Sequence, residues 1–319
     1  MNKLYMLIGL PASGKSTIAK EISKSEDAEI VSSDEIRKEL LGDINDQSQN
    51  ELVFKEVGKR IKDRLKVGNV IYDATNIDYK KRRAFLQQLN KMEVKKIAVL
   101  IATPYEECLE RNAKRKRSVP EYVIKRMYHN FYIPQKYEGF DDIEIRYNSD
   151  YCFCMDELVD IPQDNPHHTL TVLGHCIKAQ NIIQGQYNAL EKNELKMAGL
   201  LHDIGKLKTK TFINCKGEKT DVAHYYNHEK VSAYDSLFNI GIKMIAKAGH
   251  IKGVLYILSL IQWHMILHFN MSEKTLKKYK DMLGEEIWND LEILHKADCE
   301  AKWYDWCKES KRIDKWSSC

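Results

Sequence analysis

Residues 9–16 read Gly9-Leu10-Pro11-Ala12-Ser13-Gly14-Lys15-Ser16 and follow directly on the apolar run Leu4-Tyr5-Met6-Leu7-Ile8. A strand that runs into a glycine-spaced loop and hands over to a helix around Ser16 and Thr17 is a phosphate-binding P-loop, which belongs at the carboxyl edge of a parallel α/β sheet. Gly9 and Gly14 let the backbone amides around Ser13 close on phosphate oxygens, and the start of the helix adds a favourable dipole. Lys15 neutralises the anion, and Ser16 offers the hydroxyl that ligates magnesium. ATP or another nucleoside triphosphate with Mg2+ is the expected occupant.

The strand signal recurs in Glu29-Ile30-Val31, Val70-Ile71-Tyr72 and Ile97-Ala98-Val99-Leu100-Ile101, each followed by a polar or helically periodic stretch. A parallel sheet with flanking helices is therefore expected over residues 1–158. Turn and breaker residues concentrate in Asp160-Ile161-Pro162-Gln163-Asp164-Asn165-Pro166, which marks a domain boundary. Beyond it, apolar residues recur at helical spacing through Leu195, Ala198, Gly199, Leu200 and Leu201, predicting an all-α bundle over residues 159–319. A length of 319 residues with 43% hydrophobic content supports two such cores. The net charge of +4 is no global polycation, so nucleic-acid binding would have to use local patches. The first apolar run feeds into Lys15 without a leader pattern, and Val254 to Phe269 is broken by Gln262, His264 and His268. The expectation is a cytoplasmic protein with no membrane partner, reduced cysteines and a core helix at 254–269.

Three further clusters bear on the chemistry of the first half. Ser32-Ser33-Asp34-Glu35-Ile36-Arg37 follows the second strand, where Asp34 is placed to accept a proton from a hydroxyl and Arg37 to hold a phosphate, unless Ser33 or Asp34 simply caps a helix. Asp73-Ala74-Thr75-Asn76 ends the third strand, with Asp73 placed to orient the metal or Arg37. The basic run Arg111-Asn112-Ala113-Lys114-Arg115-Lys116-Arg117-Ser118-Val119-Pro120 completes the set. In order and spacing these clusters resemble the kinase domain of phage-type polynucleotide 5′-kinases, over residues 1–150. The resemblance implies that Asp34 is the general base for a 5′-hydroxyl and Arg37 the acceptor-phosphate ligand. It further implies that the run from Arg111 contacts the nucleotide phosphates, through Arg115 or Arg117. Lys80-Lys81-Arg82-Arg83 and the 111–126 region are candidate strand-phosphate contacts, with Tyr128, Phe131 and Tyr132 nearby for base stacking.

In the second half, Leu200-Leu201-His202-Asp203-Ile204-Gly205-Lys206 puts adjacent ligand types on an apolar helix, where neighbouring side chains diverge by about 100° and can grip one ion from two sides. His175, His228, His264 and Asp298 are available partners. Leu173-Gly174-His175, His202-Asp203, Asn227-His228-Glu229 and Ala297-Asp298 resemble the HD-domain metal phosphohydrolases, over residues 163–302. The resemblance implies a helical bundle with a primary metal site of His175, His202, Asp203 and Asp298. His228 and His264 would hold a second ion or steady the phosphate, with His224 and His268 one turn away as substitutes. Lys206 and Lys302 are candidate ligands of the substrate phosphate, while His167, His168, His250 and His295 read as surface or supporting residues. An imidazole and carboxylate set suits Mn2+, Fe2+, Co2+, Ni2+ or Zn2+.

Joined, the two halves resemble bifunctional end-healing enzymes that phosphorylate 5′-hydroxyls and remove 3′-phosphate or 2′,3′-cyclic phosphate. RNA or DNA ends are then the expected partners, RNA preferred and tRNA included, with sealing left to a separate ligase. The rival is a nucleoside or sugar kinase fused to an HD nucleotide phosphohydrolase or nucleotide-sensing module.

Overall fold

The computed structural model describes residues 1–166, 169–187 and 191–302. The chain divides into two compact units, Met1–Cys152 with Leu237–Leu255, and Phe153–Ser236 with Tyr256–Cys319.

In order, the first part of the chain forms β1 (Asn2–Ile8), α1 (Lys15–Glu26), β2 (Ala28–Ser32), α2 (Ser33–Leu41), α3 (Asn50–Arg64), β3 (Asn69–Asp73), α4 (Tyr79–Gln87), β4 (Val94–Ala102), α5 (Tyr105–Ala113), α6 (Glu121–His129) and β5 (Asp142–Tyr147). The strands pair in the order β2-β3-β1-β4-β5, all parallel. β1 is thus central, with its carboxyl end at the point where the chain order reverses and where open α/β sheets place their ligands. Near-continuous apolar runs suit strands covered on both faces, and β1 and β4 interlock through Tyr5, Leu7, Ile97, Val99 and Ile101 with Ala19 and Ile22 of α1. β5, which has no counterpart among the expected strands, alternates charged and apolar residues as an edge strand does.

Helix starts follow local chemistry. Ser32 caps α2 by accepting from the Glu35 amide, and Asp78 caps α4 by accepting from the amides of Lys80 and Lys81. Ser32, not Ser33 or Asp34, is therefore the cap, which leaves the Asp34 carboxylate to other partners.

The later part forms α7 (Val172–Gln186), α8 (Asn193–Leu201), α9 (Lys206–Thr209), β6 (Lys210–Ile213), β7 (Lys219–Tyr225), α10 (His228–Ser236), α11 (Ile240–Lys247), α12 (Ile251–Trp263), a 3₁₀ turn (His264–His268), α13 (Glu273–Leu283) and α14 (Glu285–Ala301). It is mostly helical but not all-α, because β6 and β7 make an antiparallel hairpin. The hairpin turns through Asn214, whose side chain accepts from the amides of Lys216 and Glu218, and through Gly217 at φ +84°. Ile251–His268 has the length and composition of a membrane-crossing helix, with mean hydropathy 1.2, yet 61% of it is buried inside the protein as a core helix would be.

Two expectations about nucleic-acid contact fail on burial. Tyr128 and Phe131 have no exposed surface, and Tyr128 stacks on Tyr105 at 4.4 Å, so neither can receive a base. Arg82 is equally buried, with Nε and one terminal nitrogen each donating at 2.7 Å to the Glu138 carboxylate and the other donating to the Asn76 carbonyl. It therefore holds the loop after β3 instead of reaching for strand phosphates. A buried pair that loses one partner leaves an uncompensated charge, so Glu138→Ala is expected to cost about 3–5 kcal/mol in a urea-unfolding measurement. A loss below about 1 kcal/mol would show that water reaches Arg82.

Candidate functional sites

At the carboxyl end of β1 the chain turns through Ala12 at φ +64° and Gly14 at φ +96° before entering α1. Gly14 is in a conformation that side chains avoid, and an added Cβ would lie 2.3 Å from the Asn148 side chain. Asn148, just past β5, and Thr103, just past β4, both donate to the Ser13 carbonyl, at 2.9 and 2.8 Å. Arg111 in turn donates to the Asn148 carbonyl. Sequence reading missed Asn148 and Thr103; their signal is position at strand ends. Beside the loop lies a cleft of about 390 Å³ lined by Gly14, Thr17, Arg111, Arg115 and Asn148, among others, with Glu21 as its one carboxylate against the two arginines. Its cations and the amino end of α1 suit an anionic ligand.

Lys15 folds back on the loop, donating to the carbonyls of Gly9 and Leu10 at 3.0 and 2.6 Å. Burial lowers its pKa to about 8, against the attraction of Asp73. Asp73 lies 3.4 Å from the Ser16 hydroxyl, and burial raises its carboxyl despite Lys15. Ser16 and Asp73 are thus the pair placed to hold a hydrated Mg2+ ion, whereas Arg37 is held elsewhere, by Asp34 at 3.2 Å and Asn50 at 2.8 Å. Asp34 is half-exposed and close enough to act electrostatically on both Lys15 and Asp73. Its second oxygen meets Arg117 at 3.0 Å, and Arg117 also donates to the Asn45 side chain and the Ile44 carbonyl. The two candidate lid arginines therefore part company: Arg115 lines the P-loop cleft and Arg117 lies on Asp34.

In the second unit His202 and Asp203 do not sit on a continuous helix. α8 ends at Leu201, and residues 202–205 form turns that lead into α9. His202 Nδ1 contacts the Gly199 carbonyl at 2.9 Å, which turns Nε2 inward. His175 from α7 brings its Nε2 to 3.2 Å from His202 Nε2, 3.3 Å from Asp203 Oδ2 and 3.0 Å from Asp298 Oδ1 on α14. The other Asp203 oxygen lies 3.1 Å from His228 Nε2 and 3.7 Å from His264 Nε2, and these two nitrogens are 3.2 Å apart. Two buried donor sets result, His175-His202-Asp203-Asp298 and Asp203-His228-His264, each with ligand atoms within 4.8 Å of one another and with Asp203 common to both. All six expected metal residues are brought together.

Burial alone would raise the carboxyls of Asp203 and Asp298. Lys206, His202, His175 and His228 hold Asp203 well below the usual range, and His175, His202 and His268 do the same for Asp298. Burial disfavours a charged His175, but its hydrogen bonds to the two carboxylates lift it to about 9. His264 is driven well below the histidine range by burial, then by His202 and His228. Two ionised carboxylates ringed by imidazole nitrogens fit divalent transition metals.

Lys206 donates to Asp203 Oδ2 at 2.6 Å and to Gln163 at 2.7 Å, with the Tyr225 ring beneath it. Lys302 caps the carboxyl end of α14, where its carbonyl accepts from Thr169. His224 lies on β7, stacked on Tyr226, and joins neither donor set. His250 is exposed, and His167 and His168 lie outside the described residues. His268 and His295 form a third group with Cys299 that sequence reading did not single out.

Residues 4–134 match the AAA domain family and residues 167–302 the HD domain family. A curated relative, the L-seryl-tRNA(Sec) kinase of Methanococcus maripaludis, is 26% identical over 217 residues, 65% of this chain and 83% of the relative. Among solved structures, a chain of the Pnkp1/Rnl/Hen1 RNA repair complex is 27% identical over 40% of this chain, with a TM-score of 0.35; the match spans 42% of that chain. The APS kinase CysC of Mycobacterium tuberculosis is 17% identical over 45% of this chain and 88% of its own, with a TM-score of 0.35. The chain holds a parallel five-stranded α/β P-loop domain followed by a mostly helical HD domain.

Phosphate held by Lys15 keeps that lysine protonated, so above about pH 8 binding must take up a proton. Triphosphate affinity, measured by titration calorimetry from about pH 7 to 9.5, is expected to weaken towards tenfold per pH unit above 8 and to release or absorb buffer heat accordingly. An affinity flat across that range would remove Lys15 as the anion's partner.

Proposed function

We propose that the chain heals broken nucleic-acid ends, RNA above all, phosphorylating the 5′-hydroxyl in the P-loop unit and clearing 3′-phosphate or 2′,3′-cyclic phosphate in the HD unit. The observation that carries the first activity is the Asp34 carboxylate, held at the carboxyl edge of the sheet within electrostatic reach of Lys15 and bracketed by Arg37 and Arg117.

In the kinase reaction the 5′-oxygen bonds to the γ-phosphorus, the bond to the β,γ-bridging oxygen breaks, and Asp34 accepts the hydroxyl proton. Lys15, Arg111 and Arg115 balance the charge spread over the transferred group, and Arg37 anchors the acceptor's own phosphate. Because Arg117 occupies one Asp34 oxygen, it must share or leave that oxygen when the acceptor docks. In the HD unit, ions held by His175, His202, Asp203 and Asp298, and by His228 and His264, would supply a hydroxide near neutral pH and polarise a phosphoryl oxygen. Lys206, fixed by Gln163 over the Tyr225 ring, is placed to meet the phosphate beside Asp203. From a 3′-phosphate, one water adds to phosphorus and the 3′-oxygen leaves with release of inorganic phosphate; from a cyclic phosphate, a first water opens the ring to a monoester and a second releases phosphate, giving the 3′-hydroxyl that, with the new 5′-phosphate, a separate ligase joins. A cytoplasmic setting follows from tRNA and ATP as reactants.

A second reading has a specific support. The curated relative's name, L-seryl-tRNA(Sec) kinase, puts the acceptor hydroxyl on a seryl group carried by tRNA, and in this chain the base for such a hydroxyl would again be Asp34.

The deciding assay offers labelled ATP, Mg2+ and Mn2+ with an RNA bearing a 5′-hydroxyl and a cyclic phosphate, beside seryl-tRNA and free nucleosides. Label on the RNA 5′-end is expected. Asp34→Asn should lower labelling at least ~100-fold and leave 3′-end hydrolysis intact, while Asp203→Asn does the reverse. Label confined to seryl-tRNA or nucleosides would overturn the end-healing acceptor.

A further inference from the structure

The two carboxylates of the HD centre are used in the same way. Each directs one oxygen to the His175-His202 pair; Asp203 then offers its other oxygen to His228 and His264. Asp298 offers its other oxygen, Oδ2, to His268 Nε2 at 2.8 Å. Behind His268 stands His295, whose Nδ1 is 3.1 Å from His268 Nε2, and behind His295 stands Cys299, whose sulfur is 3.9 Å from His295 Nε2. His295 and Cys299 are one turn apart on α14 and flank Asp298, so one helix face presents an imidazole, a carboxylate and a thiol to the 3₁₀ turn that carries His268.

We propose that His268, His295 and Cys299, with Asp298 Oδ2 beside them, form a further transition-metal site, so that Asp298 links this ion to the HD centre as Asp203 links the centre to the His228-His264 position. One donor atom from each of the three residues lies within 4.8 Å of the others. Bonds of about 2.0–2.3 Å around a tetrahedral ion put nitrogen and sulfur donors roughly 3.3–3.8 Å apart; the 3.1 Å contact of His268 uses His295 Nδ1 and the 3.9 Å contact of Cys299 uses His295 Nε2, so one ion takes one of these two nitrogens and draws the remaining donor in. The same contacts also read as a hydrogen-bonded chain from Asp298 through His268 and His295 to the Cys299 thiol, which would orient the carboxylate without an ion, and cobalt uptake at the thiol separates the two. The sulfur makes the donor set softer than the nitrogen and oxygen sets beside it, selecting Zn2+, Fe2+ or Co2+ over Mg2+ and Ca2+. The site is independent of which acceptor the kinase unit takes.

The test loads the full-length, metal-stripped chain with Co2+ and reads two signals, cobalt per chain by mass spectrometry and the sulfur-to-cobalt charge-transfer band in the near ultraviolet. The parent is expected to show the band. Cys299→Ser should lose the band and one cobalt per chain, and His295→Gln should lose one cobalt while keeping the thiol, with far-ultraviolet dichroism confirming that each variant is folded. Asp203→Asn should keep the band and lose cobalt from the HD centre; if it loses none, the HD assignment fails and the thiolate site stands. A parent without the band, a band that survives Cys299→Ser, or a folded Cys299→Ser that binds as much cobalt as the parent overturns the proposal.

Discussion

A carboxylate taken out of water must be repaid by partners, and the HD centre is organised around that requirement. Asp203 is buried and ionised, and its two oxygens face different partners: Lys206 with His175 and His202 on one side, His228 with His264 on the other. α7, the turn after α8, α9, α10 and the 3₁₀ turn after α12 each contribute one of these partners, so these elements are joined through the acid as well as through their apolar faces. The imidazole Nδ1 atoms of His202, His228 and His264 are tied to backbone carbonyls, which fixes the rings and points every Nε2 inward.

The first unit handles charge in two contrasting ways. Arg82 and Glu138 are sealed away from solvent and fix the loop that follows β3. Asp34, Arg37 and Arg117 have the same chemistry but stand at an edge where Asp34 stays half-exposed, so their contacts can be exchanged for those of a ligand. Within this unit the exposure of the carboxylate, not residue type, separates the two groups. The clamp of Thr103 and Asn148 on the Ser13 carbonyl does for the P-loop what the backbone carbonyls do for the histidines.

How much of this could be read beforehand depended on whether the determining contacts are local. β1 through β4 announce themselves as apolar runs because both faces of the sheet are covered. β5, an edge strand like β2, alternates charged and apolar residues where β2 keeps Ile30 and Val31 adjacent, so apolarity flags β2 and not β5, and the β6-β7 hairpin depends on turn chemistry at Asn214 and Gly217 rather than on apolar spacing. The six metal residues of the HD centre were legible because paired ligand types leave a mark in sequence. The thiol group was not: Cys299 sits beside Asp298 in the chain, yet its relation to His268 exists only once α14 packs on the 3₁₀ turn. Tyr128 and Phe131 show the converse, since aromatics near a basic run look the same in sequence whether they face solvent or the core.

Gly205 lies two residues past Asp203, and its amide donates to the Ser232 hydroxyl at 2.9 Å. A Cβ there would come within 2.5 Å of both the His228 carbonyl and the Ser232 amide, so backbone touches backbone where the turn meets α10. The approach of the turn that carries Asp203 to the first turn of α10, which carries His228, is therefore set by main chain. Even one methyl group at Gly205 would have to push the turn and α10 apart, so the tolerance across this side of the centre is as small as a single hydrogen atom.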